Sequence, residues 1–175
     1  LLKLEGVKHA EFNQDTVEVF VTYDPGKQTQ NNLLGTVKRL GYDVILGAGK
    51  GSYAPEEKSP KDSDIKTIKQ GEVITNLDQL TVKGRVTIID FFARWCGPCR
   101  EVDRVVKEIM STNDEISYRR IDIGNWSSDV AKRFLGSAPE LPYVIVYDKR
   151  GKRIDAISGL DIVRLREAIK TGFEP

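Results

Sequence analysis

The sequence predicts an α/β domain over residues 72–175, preceded by a smaller α+β unit over residues 1–47. Three observations predict it. Gly49 to Asp64 is rich in Gly, Pro, Ser and mixed charge, holds almost nothing to bury, and so reads as a solvated linker, set at 48–71. Ahead of it the apolar pattern runs strand, strand, helix, strand; behind it strands and helices alternate. The chain is 39% hydrophobic and 30% charged with a formal net charge of +1, a balance that gives no reason to expect nucleic acid or an anionic membrane surface as partner. No apolar run approaches the roughly 20 residues that span a bilayer.

In the first unit Leu1 to Leu4 resembles the tail of a helix that leads through Gly6-Val7 into a strand at Lys8–Phe12. From Val17 to Tyr23 the residues alternate: Val17, Val19, Val21 and Tyr23 take one face, Glu18, Phe20 and Thr22 the other. Asp24-Pro25-Gly26 ends that strand in a turn. Leu33, Leu34, Val37 and Leu40 recur at helical spacing, Gly41 stands where a helix-ending glycine would, and Tyr42 to Leu46 reads as a last strand.

In the second unit Val86 to Phe92 is an almost unbroken apolar run, the mark of a central strand covered on both faces. Pro98 to Met110 follows as a helix with Val102, Val105, Val106 and Ile109 on one face, and with Asp103 and Lys107 expected as an exposed pair four apart. Ile116 to Ile123 is the next strand, with Ile116, Tyr118 and Arg120 on one face. Trp126-Ser127-Ser128 offers a cap for a helix at Asp129–Leu135. Tyr143 to Tyr147 and Arg153 to Ser158 form a hairpin about Asp148-Lys149-Arg150-Gly151, and Ile162, Leu165 and Ile169 mark a closing helix.

Chemistry concentrates at Trp95-Cys96-Gly97-Pro98-Cys99-Arg100. Cys96 and Cys99 are the only cysteines in the chain, so within it each has only the other as a disulfide partner. Cys96 falls at or just before a helix N-terminus, where unpaired N–H groups and the helix dipole lower a thiol pKa from about 8.5 toward neutrality. Cys99, one turn on, is near enough to attack a mixed disulfide at Cys96. Gly97 and Pro98 suit the tight first turn, and Pro98 forfeits no hydrogen bond there. Half of a zinc site and an accidental pair are the other readings; zinc wants four ligands, and the chain adds only His9. Asp90, in the middle of Ile88-Ile89-Asp90-Phe91-Phe92, would be desolvated, with a raised pKa suited to proton transfer near neutral pH. A solvated, edge-facing Asp90 is the alternative.

The segment Asp90-Phe91-Phe92-Ala93-Arg94-Trp95-Cys96-Gly97-Pro98-Cys99 resembles the active-site segment of the thioredoxin family, and residues 72–175 are similar to that family throughout. Leu141-Pro142 matches the family's cis-proline, and Gly159 a family glycine beside the same groove. The resemblance implies a thioredoxin fold, a central mixed sheet with flanking helices. It implies that Cys96 attacks a partner disulfide, Cys99 resolves the mixed disulfide, and Asp90 accepts the Cys99 proton through water. Trp95, Gly97, Pro98, Leu141, Pro142 and Gly159 would line the substrate surface, with Trp95 packing beside the site rather than bonding. No cofactor is implied beyond a reversible Cys96–Cys99 disulfide; the partners are protein disulfides and an upstream electron-donating thiol reductase. Gly97-Pro98 favours the reductant end of the family over an oxidase or isomerase. One departure stands out: where thioredoxins carry a lysine near the buried acid, this chain has Tyr118, with Arg119 adjacent.

Residues 1–47 resemble the heavy-metal-associated domain, a ferredoxin-like βαββαβ fold, through Leu4-Glu5-Gly6-Val7, Val17–Tyr23 with Asp24-Pro25, and Leu40-Gly41-Tyr42-Asp43-Val44. The family's two metal-binding cysteines, and its first strand, would lie upstream of Leu1, so no metal ligand is assigned and His9 reads as a strand residue. A fold lacking that strand exposes a sheet edge; it is expected to pack on the second domain or to be covered by another chain, which includes pairing of two copies. The expectation is a disulfide reductase whose first domain recruits a partner, in a bacterial envelope rather than the cytoplasm. The alternative is a metal-handling or partner-binding protein in which the second domain is secondary.

Overall fold

The computed structural model describes residues 1–13, 16–39, 42, 44–47, 56, 58–138 and 140–174. The chain divides into two units, Leu1–Glu56 and Glu57–Pro175.

In the first unit β1 (Val7–Asn13) runs antiparallel to β2 (Glu18–Tyr23). Val7 lies opposite Tyr23, Ala10 opposite Val21 and Phe12 opposite Val19, which gathers the apolar residues on one face of the pair. The helix α1 (Gln30–Arg39) begins after Thr29, whose hydroxyl accepts the Asn32 N–H at 3.2 Å, and it closes on Lys38 and Arg39, cations suited to a helix C-terminus. Among the described residues of this unit only Leu33 is buried, and Phe12, Val19 and Phe20 stay exposed.

Two expectations fail here. Leu1 to Leu4 form a turn, with the Leu4 N–H on the Leu1 carbonyl, and not the end of a helix. Tyr42, Val44, Ile45 and Leu46 form no strand, and Ile45 and Leu46 are exposed. A strand exists only by pairing, and among the described residues neither β1 nor β2 takes this segment as a neighbour. Leu40, Gly41 and Asp43, and with them the expected helix-ending glycine, lie outside the described residues, as do 48–55 and 57 of the expected linker.

The second unit is a five-stranded sheet in the order β3 (Asp64–Ile68), β5 (Ile116–Asp122), β4 (Val86–Phe92), β6 (Tyr143–Tyr147), β7 (Arg153–Ser158). β4 is buried along its whole length and pairs in parallel with β5 and antiparallel with β6. β7 closes one edge as a hairpin partner of β6; β3 closes the other, parallel to β5. On one face α2 (Gly97–Met110) and α4 (Ile162–Gly172) pack Val102, Val106, Leu165 and Ile169 against Val86, Ile88, Ile116, Tyr118, Val144 and Val146. On the other face α3 (Asp129–Phe134), capped by the Ser128 hydroxyl on the Ala131 N–H, packs Ala131 with Ile89, Phe91, Ile121 and Ile145, and this cluster extends round the end of the sheet to the two cysteines at the start of α2. These clusters form because a strand's side chains alternate between faces and a central strand must satisfy both.

β3 falls inside the stretch expected to be linker. Five residues with only two apolar members, Ile65 and Ile68, give too short a pattern to stand out from the polar run before them. The strand is held by β5: Arg119 donates to the Asp64 carboxylate at 2.8 and 3.0 Å, and the Ser117 hydroxyl donates to it at 2.6 Å. The Arg119 hydrogen bonds hold the Asp64 carboxyl at about 2, well below its ordinary value, against the opposing effect of partial burial. A short 3-10 helix, Leu77–Leu80, started by Asn76, also gave no periodic signal.

Candidate functional site

α2 starts immediately after Cys96, which is its N-cap: the Cys96 Sγ accepts the Cys99 N–H at 3.2 Å. Pro98 sits in the first turn, where a missing N–H costs nothing. Cys96 and Cys99 are joined as a disulfide, and each is only 3% exposed. β4 ends at Phe92, just ahead of this turn, so the most buried strand of the sheet fixes the position of the pair.

Trp95 does bond, contrary to expectation: its indole N–H donates to the Gly124 carbonyl at 2.7 Å. That link ties the cysteine turn to the loop after β5, where Gly124 lies beneath the Gln70 side chain and adopts φ +64, a conformation that favours glycine. The Leu141–Pro142 peptide is cis, and the Pro142 carbonyl accepts the Gly159 N–H at 2.9 Å. Gly159 has φ +80, and a Cβ there would come within 2.5 Å of the Glu140 carboxylate. Leu141 and Trp95 both pack against the cluster that contains Cys96 and Cys99. The structure therefore brings Trp95, Cys96, Gly97, Pro98, Cys99 and Leu141 together, and joins Pro142 to Gly159.

Asp90 is wholly buried, on the α2 and α4 side of β4. Burial raises its carboxyl to about 7, opposed by a hydrogen bond from Tyr118 and by the Arg120 charge, and reinforced by Asp103. The Tyr118 hydroxyl donates to Asp90 Oδ2 at 2.8 Å, while Oδ1 is buried and has no hydrogen-bond partner among the described residues. Arg120, opposite Asp90 in the β4–β5 register, lies 4.2 Å from the centre of the Phe92 ring and forms an ion pair with Asp103 at 3.2 Å.

Asp103 and Lys107, expected as an exposed pair, are buried instead at 2.8 Å from each other. The helical spacing was right and the face was not: Arg120 supplies a second cation from β5, so this charged face of α2 turns inward. The sequence reading missed Asp103, Arg120, Gln70 and Glu140 as neighbours of the site. Only Tyr118 carried a signal, as the residue standing where a lysine was expected.

Residues 1–47 hold no cysteine and a single histidine, His9, which is exposed. Among the described residues no three His, Cys, Asp or Glu side chains cluster as a cation site requires, and no helix is long and apolar enough to cross a membrane.

A cysteine pair that opens and closes within one helical turn stores two electrons, and a protein built around it is a disulfide oxidoreductase. The chain belongs to the thioredoxin family: the family model described as Thioredoxin matches residues 72–171. It is 31% identical over 103 residues to a thioredoxin of Malassezia sympodialis, covering 56% of this chain and 94% of that one. It is 31% identical over 104 residues to a thioredoxin of Coprinus comatus, covering 57% and 94%. The structure is similar to oxidised thioredoxin O2 of Arabidopsis thaliana, with a TM-score of 0.52 at 23% identity over 66% of this chain and all of that one, a likeness of fold. The chain is thus a thioredoxin-like disulfide oxidoreductase, of a family that acts on protein disulfides and uses a redox-active disulfide without a separate cofactor.

Proposed function

We propose that the protein reduces disulfides of partner proteins, with Cys96 attacking and Cys99 resolving. The observation that carries this reading is the Cys96–Cys99 pair at the first turn of α2, with Cys96 as the cap. In the reduced chain the Cys96 thiolate would be stabilised by the free N–H groups and dipole of α2. It attacks one sulfur of the partner disulfide; a mixed disulfide forms and the partner's other sulfur leaves as a thiolate. Asp90 takes the Cys99 proton, the Cys99 sulfur attacks Cys96 Sγ, and the partner's second thiolate departs. Two electrons pass to the partner and the Cys96–Cys99 disulfide closes. Trp95, Gly97, Pro98, Leu141, Pro142 and Gly159 form the surface on which an extended partner segment lies. The Gly97-Pro98 dipeptide supports reduction as the net direction, and an upstream thiol reductase reopens the disulfide.

The first unit, in this reading, is a heavy-metal-associated-like domain of ferredoxin-like descent that recruits the partner, and its exposed strand pair is a surface through which two copies could join. What supports it is the β1–β2 pair followed by α1, together with the Gly6-Val7 and Asp24-Pro25 landmarks.

The test is insulin reduction by the full chain with dithiothreitol as electron source. Acceleration over buffer, lost in Cys96→Ser, is expected; no acceleration by the wild-type chain overturns the reductase reading. Cys99→Ser should accumulate a mixed disulfide at Cys96, and normal turnover by that variant would reverse the roles of the two thiols.

A further inference from the structure

Tyr118 is wholly buried and takes no part in the thiol–disulfide exchange itself. It stands opposite Ile88 in the β4–β5 register, two residues before the Arg120–Asp90 pair, on the same face of the sheet. Its hydroxyl reaches along that face to Asp90 Oδ2 at 2.8 Å. Burial, then the Asp90 and Asp103 charges, push the phenol well above its ordinary value, so it keeps its proton and acts toward Asp90 as a donor. The two carboxyl oxygens are therefore unlike each other. Oδ2 is occupied by the phenol; Oδ1 is buried and receives no hydrogen bond among the described residues.

We infer that Tyr118 is a positioning residue for the proton transfer: it clamps Asp90 through Oδ2 and leaves Oδ1 as the oxygen that takes and returns the Cys99 proton. The inference rests on the reading of Asp90 as the proton acceptor. A donor fixed on one oxygen does two things. It stops the carboxyl from rotating, so the proton enters and leaves at one place, and it favours the ionised form that accepts the proton. The other ionisable groups facing Asp90 are Arg120 from β5, which favours its charge, and Asp103 from α2, which opposes it. Asp103 is itself paired with Lys107 and Arg120. β6 places Val144 opposite Asp90, and α4 contributes Leu165 and Ile169 to this face, so neither adds a charge there. All of these groups remain when only the phenol hydroxyl is changed.

The experiment compares the full-length chain with Tyr118→Phe, which removes the donor and keeps the ring, and with 3-fluorotyrosine at position 118 alone, which keeps the shape and strengthens the donor. Two readouts are followed against pH: the rate of a single turnover of insulin reduction by the pre-reduced protein, and the carboxyl carbon resonance of Asp90. Tyr118→Phe should move both midpoints upward by about one pH unit, and fluorotyrosine should move both downward. Asp90→Asn is measured beside them. If its pH–rate profile matches wild type, the role of Asp90 fails and this inference with it. If Asp90→Asn alters the profile while both position-118 variants keep the wild-type midpoints, Tyr118 has no positioning role and the Asp90 reading stands.

Discussion

Replacing Asp90 by Asn should make the oxidised protein more stable at pH 8 while leaving it nearly unchanged at pH 4. The folded chain holds the Asp90 proton up to about 7, whereas an unfolded carboxyl releases it near 3.8. Between those values the folded state binds more protons than the unfolded one, so the free energy of unfolding falls as pH rises. The stabilisation is complete below the unfolded value and gone once the pH has passed the folded one. At ~1.4 kcal/mol per pH unit for one proton, the loss across that window is about 4 kcal/mol, an upper value because relaxation around a buried charge reduces it. Asn is nearly isosteric, can still accept the Tyr118 hydrogen bond through its carbonyl oxygen, and carries no proton to lose. The assay is urea unfolding of oxidised wild type and Asp90→Asn from pH 4 to 8.5, followed by tryptophan fluorescence and extrapolated to water. Both tryptophans, Trp95 and Trp126, belong to the second unit, so the signal reports on the domain that contains Asp90. Subtracting the two curves removes every other titration. A difference that stays flat between pH 4 and 8 would refute the argument that burial governs Asp90.

Three more outcomes can be checked. Asp103→Asn removes the buried carboxylate that Lys107 and Arg120 share, and should destabilise the protein by roughly 1–3 kcal/mol, read from its urea midpoint. Gly159→Ala puts a Cβ at φ +80 and against the Glu140 carboxylate; it should cost about 1–2 kcal/mol and slow insulin reduction more than it slows exchange with a small disulfide. Arg119→Met removes the hydrogen bonds that hold Asp64, so amide exchange should speed up at Asp64–Ile68 and stay unchanged in β4. The same change should shrink a contribution that wild type has above 3.8 and loses as pH falls through about 2, leaving the smaller part due to Ser117 and Arg85.

The elements of the second unit were legible wherever a residue pattern was long or chemically marked. Val86–Phe92, Tyr143–Tyr147 and Arg153–Ser158 appear at their expected bounds because a continuous apolar run and a turn-flanked alternation are local signals. β3 was hidden because its stability comes from Arg119 and Ser117, more than fifty residues away. The strand expected at Tyr42–Leu46 had the pattern and, among the described residues, no neighbour to pair with, the reverse case. Asp103 and Lys107 show the same limit on a helix: spacing places both on one face, but only the packing of α2 on β5 decides whether that face is wet.

The sequence by itself supplied the groups of the proposed reaction. Two cysteines one helical turn apart, an acid inside an apolar strand, Leu141-Pro142 and Gly159 are properties of the chain order, and the proposal rests on them without coordinates. Only the tertiary structure decided how the acid is held. Tyr118 and Arg120 reach Asp90 through the parallel register of β4 and β5, and Asp103 comes from a helix that crosses the same face. Register and packing are set by the sum of many non-local contacts, so no stretch of sequence around Asp90 could have revealed that Tyr118 binds one of its oxygens and that, among the described residues, nothing binds the other.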